Sequence, residues 1–279
     1  ISQKNIISSK NIISDTNSVF IADPFFIYKN DSIFLFVENL IKNDGANIDL
    51  FIIADSSIDH KGTILDMKTH ISYPHVFIYN NEYYMLPETK RSNNLLLYKS
   101  DSFPYDWSIS DTLIKNIRVK DPTIMIGENS HVIFTCNDKL ELIMYCSDTL
   151  FSGWKECENY TKYFGNEVRP AGRIFKVNDK IFIPMQNLKL SYGTSVSLYE
   201  IVIRNNSIKL IKEMSEFLAP QIGKQHFNSS MHHIDIQEHN GSYIYFYDGR
   251  SLINKSFSLK RSLKYNYLDL KSIIYDIIF

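Results

Sequence analysis

An all-β, five-bladed β-propeller is the fold this sequence predicts, and three observations predict it. Prolines recur at near-equal intervals, a turn and an alternating strand follow each of them, and a third strand recurs at the same interval. Self-similarity at a period near fifty residues marks a repeat architecture, and four-stranded units repeated around an axis fit strands of this length. A β-sandwich is the alternative, but nothing in a sandwich requires equal spacing.

The elements follow in chain order. Pro24, Pro74, Pro122 and Pro170 are spaced by 50, 48 and 48 residues, each behind a polar or aromatic residue and ahead of an apolar run. Each is expected to begin the innermost strand of a blade. Asn30-Asp31, Asn80-Asn81, Glu128-Asn129 and Asn178-Asp179 then precede Ile33–Phe36, Tyr83–Leu86, Val132–Phe134 and Ile181–Ile183. A fifth copy lacks the proline but keeps the hairpin, His239-Asn240-Gly241 before Tyr243–Phe246. Asn, Asp and Gly tolerate left-handed turns, and β-branched and aromatic residues suit pleated strands. The third strand reads Leu96–Asp101 ending at Trp107 and Ile143–Asp148 ending at Trp154.

Residues 20–250 are thereby assigned to the propeller. Residues 1–19, with Lys4–Ser8 repeated as Lys10–Ser14, form an N-terminal segment that supplies a ring-closing strand. Residues 251–279 are a basic and then apolar tail, which packs on the propeller or contacts a partner or membrane surface.

Composition bounds the function. At 44% hydrophobic and 22% charged residues the chain buries a large core, which excludes disorder. Thirty Lys+Arg balance 31 Asp+Glu and no basic stripe stands out, so nucleic acid is not an expected partner. No apolar stretch approaches the roughly 18 residues of a spanning helix. Cys136, Cys146 and Cys157 form no CxxC pair, and their odd number predicts three free thiols. A reducing, cytoplasmic location is expected, with peripheral membrane contact. Because the chain begins at Ile1, the lack of a signal peptide decides nothing.

In a propeller, matched positions of the innermost strands form rings about one funnel. The ring before the prolines reads Asp23, Tyr73, Asp121 and Arg169, with His232-His233 in the fifth repeat. A second ring reads Glu38, Glu88, Cys136, Gln186 and Asp248. A purely structural repeat would fill matched positions alike, whereas these diverge and are mostly ionisable. Turn-capping aspartates and solvated strand ends are the plain reading of single members. As a set they predict a site. Crowded carboxylates shift one another's pKa values, which supplies an acid and a base at neutral pH. Arg169, Arg173 and Arg250 suit phosphate or carboxylate. His226, His232 and His233 with Asp235 are an alternative metal set, but no HExxH-like spacing supports it, so neither metal nor cofactor is expected.

The Asp-Pro strand starts, hairpins and Ser-Asp…Trp exits resemble the five-bladed propellers of arabinanase and β-xylosidase type, family 43-like, glycoside hydrolases. A closer resemblance lies in Ala22–Phe25, His70–Pro74, Met85–Thr89, Arg169–Phe175, Tyr192-Gly193, His232-His233 and Asp248–Arg250. These look like the propeller domain of plant glucosamine inositolphosphorylceramide transferases and of bacterial surface-polysaccharide proteins, some fused to a formyltransferase-like domain. The resemblance implies glycan or glycolipid synthesis, with a carbohydrate or glycolipid substrate and an associated biosynthetic domain. It departs from the hydrolases at the fourth blade, where they carry a glutamic acid and this chain carries Arg169, with Glu167 two residues earlier.

Three readings stay open. In the preferred one, a glycosyltransferase, Arg169 and Arg173 hold the phosphates of a donor such as a nucleotide sugar. Asp23 or Glu88 takes the acceptor proton, and His232 or His233 orients the sugar. In the second, a glycoside hydrolase, Asp23 is the base, Asp121 the modulator, and Glu88 or Glu167 the acid. In the third, a glycan-binding module, Tyr73, Tyr192 and the tryptophans stack on sugars. Glu38, His70, Gln186, Asp248 and Arg250 complete the expected substrate contacts.

Overall fold

The computed structural model describes residues 18–42, 45–55, 57–189, 193–221 and 227–250. Residues 1–17, the tail 251–279, Tyr192 and His226, on which expectations were placed above, lie outside them. Among the described residues there are five antiparallel sheets, laid down one after another along the chain. The first holds β1 (Ser18–Lys29), β2 (Ser32–Ile41), β3 (Gly45–Ala54) and β4 (Ser57–Leu65). The second holds β5 (Ser72–Tyr79), β6 (Glu82–Glu88), β7 (Asn94–Ser102) and β8 (Tyr105–Lys115). In the third are β9 (Val119–Ile126), β10 (His131–Asn137), β11 (Leu142–Ser147) and β12 (Lys155–Glu156). The fourth comprises β13 (Arg169–Pro170), β14 (Phe175–Val177), β15 (Lys180–Asn187), β16 (Ser195–Arg204) and β17 (Ser207–Leu218). A two-stranded fifth follows, β18 (Ile234–His239) and β19 (Ser242–Tyr247). The fold is a β-propeller with four complete blades and a shorter fifth.

The hairpins form where the turn residues demand. Asn30 and Asp31, Asn80 and Asn81, and Asn205 and Asn206 all have φ between 49° and 62°, the left-handed pair that a two-residue hairpin of matching twist requires.

Five apolar clusters, one between each pair of neighbouring sheets, close the ring. Phe36 and Leu50 meet Val76 and Trp107 between blades one and two, and Leu86 and Leu97 meet Ile124 and Ile133 between two and three. Phe134 and Met144 meet Ile183 and Met185, and Val196 and Leu198 meet Ile234 and Ile236. Phe26 and Leu35 of the first blade pack against Ile244 and Phe246 of the fifth, which joins the end of the ring to its beginning. Trp107 and Trp154 belong to this packing, their indole N–H groups donating to the Pro104 and Leu150 carbonyls, so neither is offered to a sugar.

The prolines do not begin their strands. Each of the first three lies in a bulge: pairing skips residues 23–24 against β2, 73–74 against β6 and 121–122 against β10. Asp23, Tyr73 and Asp121 there have φ of 50°, 52° and 49°, a conformation that Asp tolerates and that strains a bulky Tyr. In the fourth blade Gly172 takes the positive φ instead, at 142°, and a Cβ on it would lie 1.8 Å from the Ile234 carbonyl oxygen. Glycine is what allows β18 to approach so closely.

Cys146 and Cys157 form a disulfide, which corrects the expectation of three free thiols. The reason is register. β12 pairs with β11 so that Lys155 lies opposite Cys146, which brings Cys157 to a Cα distance of 5.1 Å. Cys136 is free and buried.

Candidate functional site

Five of the ring positions, Glu38, Glu88, Arg169, His232 and Asp248, line a cavity of about 250 Å³. Its wall includes Glu38 within β2, His70, Ser72, Glu88 at the end of β6, Arg169, His232, Asp248 and Arg250. Phe20, Ile21 and Ala22 of β1 supply an apolar side. Ser72 and Ala22 directly precede ring residues, so the same repeat alignment would have found them.

Asp23 and Asp121 stand just behind this wall, with hydrogen bonds that latch one blade to the next. Arg169 grips Asp121 with Nε and Nη2, the latter 2.9 Å from Oδ1, and Nη2 also lies 3.8 Å from Glu88 Oε2. Gln186 Nε2 donates to Asp121 Oδ2 at 2.8 Å, and the Asp121 N–H donates to Glu88 Oε2 at 3.3 Å. Across the cavity Asp248 accepts three backbone N–H groups, from Asp23, His232 and His233, each at 3.1 Å, and the His232 Nδ1 at 2.8 Å. His232 Nε2 faces Asp23 Oδ1 at 3.5 Å, and His70 Nε2 faces Glu38 Oε1 at 3.7 Å.

Five carboxyls, those of Asp23, Glu38, Glu88, Asp121 and Asp248, thus share the space with two paired cations, Arg169 on Asp121 and His232 on Asp248. The three carboxyls left over are all pushed upward. Burial raises Asp23 to about 7, with Asp121 and Asp248 adding to it and His232 and Arg169 opposing. Burial also raises Glu88 to about 8, helped by Asp121 and opposed by Arg169. Glu38 is held well above its usual range by burial and by Asp23. Burial works against the His232 cation, yet Asp248 and Asp23 outweigh it and bring the imidazole to about 9. For Asp248 burial is again outweighed, by His232 and the backbone donors, and its carboxyl is lowered. His70 is lowered by burial and by Arg91 and Arg169. The site is a store of protons held near neutrality.

Not every expected contact reaches the cavity. Tyr73 is fully buried beneath it, its hydroxyl accepting the Gly172 N–H at 2.7 Å and bonding Thr123 Oγ1 at 2.6 Å across the axis. Arg173 is spent on Asp235, with Nε 2.7 Å from Oδ1 and Nη2 donating to the Phe26 and Val76 carbonyls. His233 lies in the core against Phe25 and Tyr73, where burial lowers it to about 3. Gln186 is fully buried and serves Asp121 and the Pro170 carbonyl. Glu167 faces a different cavity, of about 470 Å³, where Asn187, Ser197, Tyr199 and Lys212 occupy its oxygens.

Asp235, one of the alternative metal donors, is paired with Arg173. Asp23, His232 and Asp248 do place one donor atom each within 4.8 Å of one another, the one such group among the described residues. His232 stands between the two carboxylates, whose charges favour a proton on its imidazole, and an ion there competes with that proton.

Residues 4–250 match the family described as glucosamine inositolphosphorylceramide transferase 1, N-terminal. The chain belongs to that family. Glucosamine inositolphosphorylceramide transferase 1 of Oryza sativa subsp. japonica is 28% identical over 268 residues, covering 88% of this chain and 35% of the rice protein. Its counterpart in Arabidopsis thaliana is 28% identical over 251 residues, covering 83% and 32%. The chain therefore spans about a third of the length of these curated relatives. As a member of this family it shares its fold with glycoside hydrolases. The catalytic domain of a GH62 alpha-L-arabinofuranosidase from Coprinopsis cinerea superposes with a TM-score of 0.65 at 12% identity, covering 92% of this chain and 91% of that one. A GH43 beta-xylosidase/alpha-arabinofuranosidase from a compost metagenome gives 0.57 at 14% identity, covering 83% and 86%.

Proposed function

We propose that this chain is the catalytic or substrate-binding domain of a glycosyltransferase of glycan or glycolipid synthesis, acting on a phosphate-activated sugar donor. One observation carries the reading: a cavity in a member of this transferase family has Glu88, raised to about 8, and His232, raised to about 9, on its wall, with Asp23, raised to about 7, behind it and 3.5 Å from His232. A base works best when its pKa lies near the working pH. Asp23 takes the acceptor proton, His232 orients the sugar, Glu88 gives a proton to the departing group, and Arg250 and His70 contact the sugar. The donor is a nucleotide sugar or a similar activated sugar, with no separate cofactor, and a second biosynthetic domain works with the propeller.

No helix among the described residues is long and apolar enough to cross a membrane. The cytoplasmic location expected from free thiols loses its basis with the Cys146–Cys157 disulfide, which favours an oxidising compartment. Membrane contact through a glycolipid substrate stays part of the proposal.

Likeness to arabinofuranosidases and xylosidases favours a hydrolase as the second reading. Against it, the fourth-blade position of the hydrolases' acid holds Arg169, paired with Asp121, and Glu167 faces the other cavity with both oxygens occupied. The test is a thermal-shift screen of nucleotide sugars against neutral oligosaccharides, since a ligand bound by the folded state raises its melting temperature. Stabilisation by activated donors, with transfer lowered about 10²-fold by Asp23→Asn, supports the transferase. Sugar release from a neutral oligosaccharide without a donor, abolished by Glu88→Gln, establishes the hydrolase instead.

A further inference from the structure

Of the three arginines that the sequence offers to a phosphate, Arg169 and Arg173 are used inside the protein, on Asp121 and Asp235, which leaves Arg250 on the cavity wall. Arg250 is a single charge, and a phosphate-bearing substrate calls for more cations near the cavity. The same rim provides them. Two residues after Glu88 the chain turns through Lys90–Ser92, β9 arrives through Arg118 and Lys120 just before Asp121, and the turn after β10 carries Asp138.

From these segments Lys90, Arg118 and Lys120 converge on the half-exposed Asp138 carboxylate. Lys90 Nζ contacts Oδ1, Lys120 Nζ lies 3.0 Å from it, and Arg118 Nε lies 3.7 Å from Oδ2. Arg118 is further oriented by donating from Nη1 to Asn93 Oδ1 at 3.0 Å. The hydrogen bond from Lys90, with the added pull of Lys120, lowers Asp138 to about 2. Three cations on one carboxylate leave two positive charges in excess, and exposed ion pairs add too little stability to account for gathering them. Lys90 follows Glu88 of the cavity wall by two residues, and Lys120 directly precedes Asp121 behind it, so the cluster adjoins the cavity.

We propose that Lys90, Arg118 and Lys120 form the phosphate-binding site of this domain, seating a phosphate ester beside Asp138 at the cavity edge. A guanidinium fork with two ammonium groups matches the charge and the acceptor oxygens of a phosphate. The inference rests on the transferase reading, and the phosphate belongs either to a soluble activated donor or to a lipid headgroup.

The experiment measures pyrophosphate binding by calorimetry, and flotation with phosphatidylcholine vesicles with and without phosphatidylinositol, on the 279-residue chain. The variants are Lys90→Ala with Lys120→Ala, Arg118→Ala, Asp138→Asn and Arg250→Ala. A soluble donor predicts that the Lys90/Lys120 and Arg118 variants each lose roughly 10-fold or more in pyrophosphate affinity, the low end for a charge-assisted contact. Asp138→Asn removes the competing anion and tightens binding, so it carries the test should the lysine double variant fail to fold. A lipid source predicts the same pattern in flotation on phosphatidylinositol vesicles instead. The site is overturned if neither probe distinguishes these variants from the parent, or if Arg250→Ala alone removes binding. Sugar transfer with an unchanged phosphate profile refutes the site and spares the transferase reading. The expected profile without transfer refutes that reading and spares the site.

Discussion

Arg169 closes on the carboxylate of Asp121, its counterpart one blade back in the same ring, with Nη2 2.9 Å from Oδ1. This pair joins the third and fourth blades at the cavity, where Gln186 and Glu88 also attach to Asp121. Removing one partner strands a buried charge, which costs about 3–5 kcal/mol. Arg169→Ala should lower the unfolding free energy by that amount in urea titration. Loss of phosphate binding without loss of stability would instead mark Arg169 as a ligand group.

Stability should fall as pH rises from about 6 to 9. Asp23 and Glu88 move up from ordinary values of 3.8 and 4.5 to about 7 and 8, and His232 from 6.5 to about 9. All three keep protons in the folded state that the unfolded chain has released, so their contribution is complete below the unfolded values and is lost as pH passes the folded ones. Asp248, lowered on folding, acts oppositely and withdraws its contribution only in acid. Melting temperatures across this range should decline, and Glu88→Gln should flatten the decline near pH 8. A melting temperature that rises from pH 6 to 9 refutes the protonated cluster.

Tyr73→Phe separates a structural role from a sugar contact. It deletes the hydroxyl that accepts the Gly172 N–H, a buried donor with an expected penalty of about 1–3 kcal/mol. Sugar affinity should not change, because the ring lies beneath the cavity. An affinity loss at unchanged stability would return Tyr73 to the binding surface.

Thiol titration of denatured, unreduced protein should find one equivalent, Cys136, and three after reduction. In the native protein that thiol should stay unreactive, since burial pushes it up to about 12. Finding all three without reduction would remove the disulfide and restore the reducing-compartment argument.

The repeat, its turns and the rings about the cavity were legible in the chain because each is local or periodic. Asn30-Asp31 and Asn80-Asn81 carry their left-handed geometry in their own side chains, and matched positions forty-eight residues apart must fall around one axis. Ring membership did not reveal where a side chain ends. Asp23 and Tyr73 occupy equivalent bulges, yet the longer Tyr73 crosses the axis to Thr123 and Gly172 whereas Asp23 stops beside His232. Nor did it reveal partners. Arg173 and Asp235, 62 residues apart, meet only once the fifth blade has packed on the fourth, and Cys146 meets Cys157 only through the β11–β12 register. Residue types and period determined the fold and the crowd of charges. Closure of the ring decided which charges neutralise one another and which stay available, because burial and pairing depend on distances between blades that no single repeat contains.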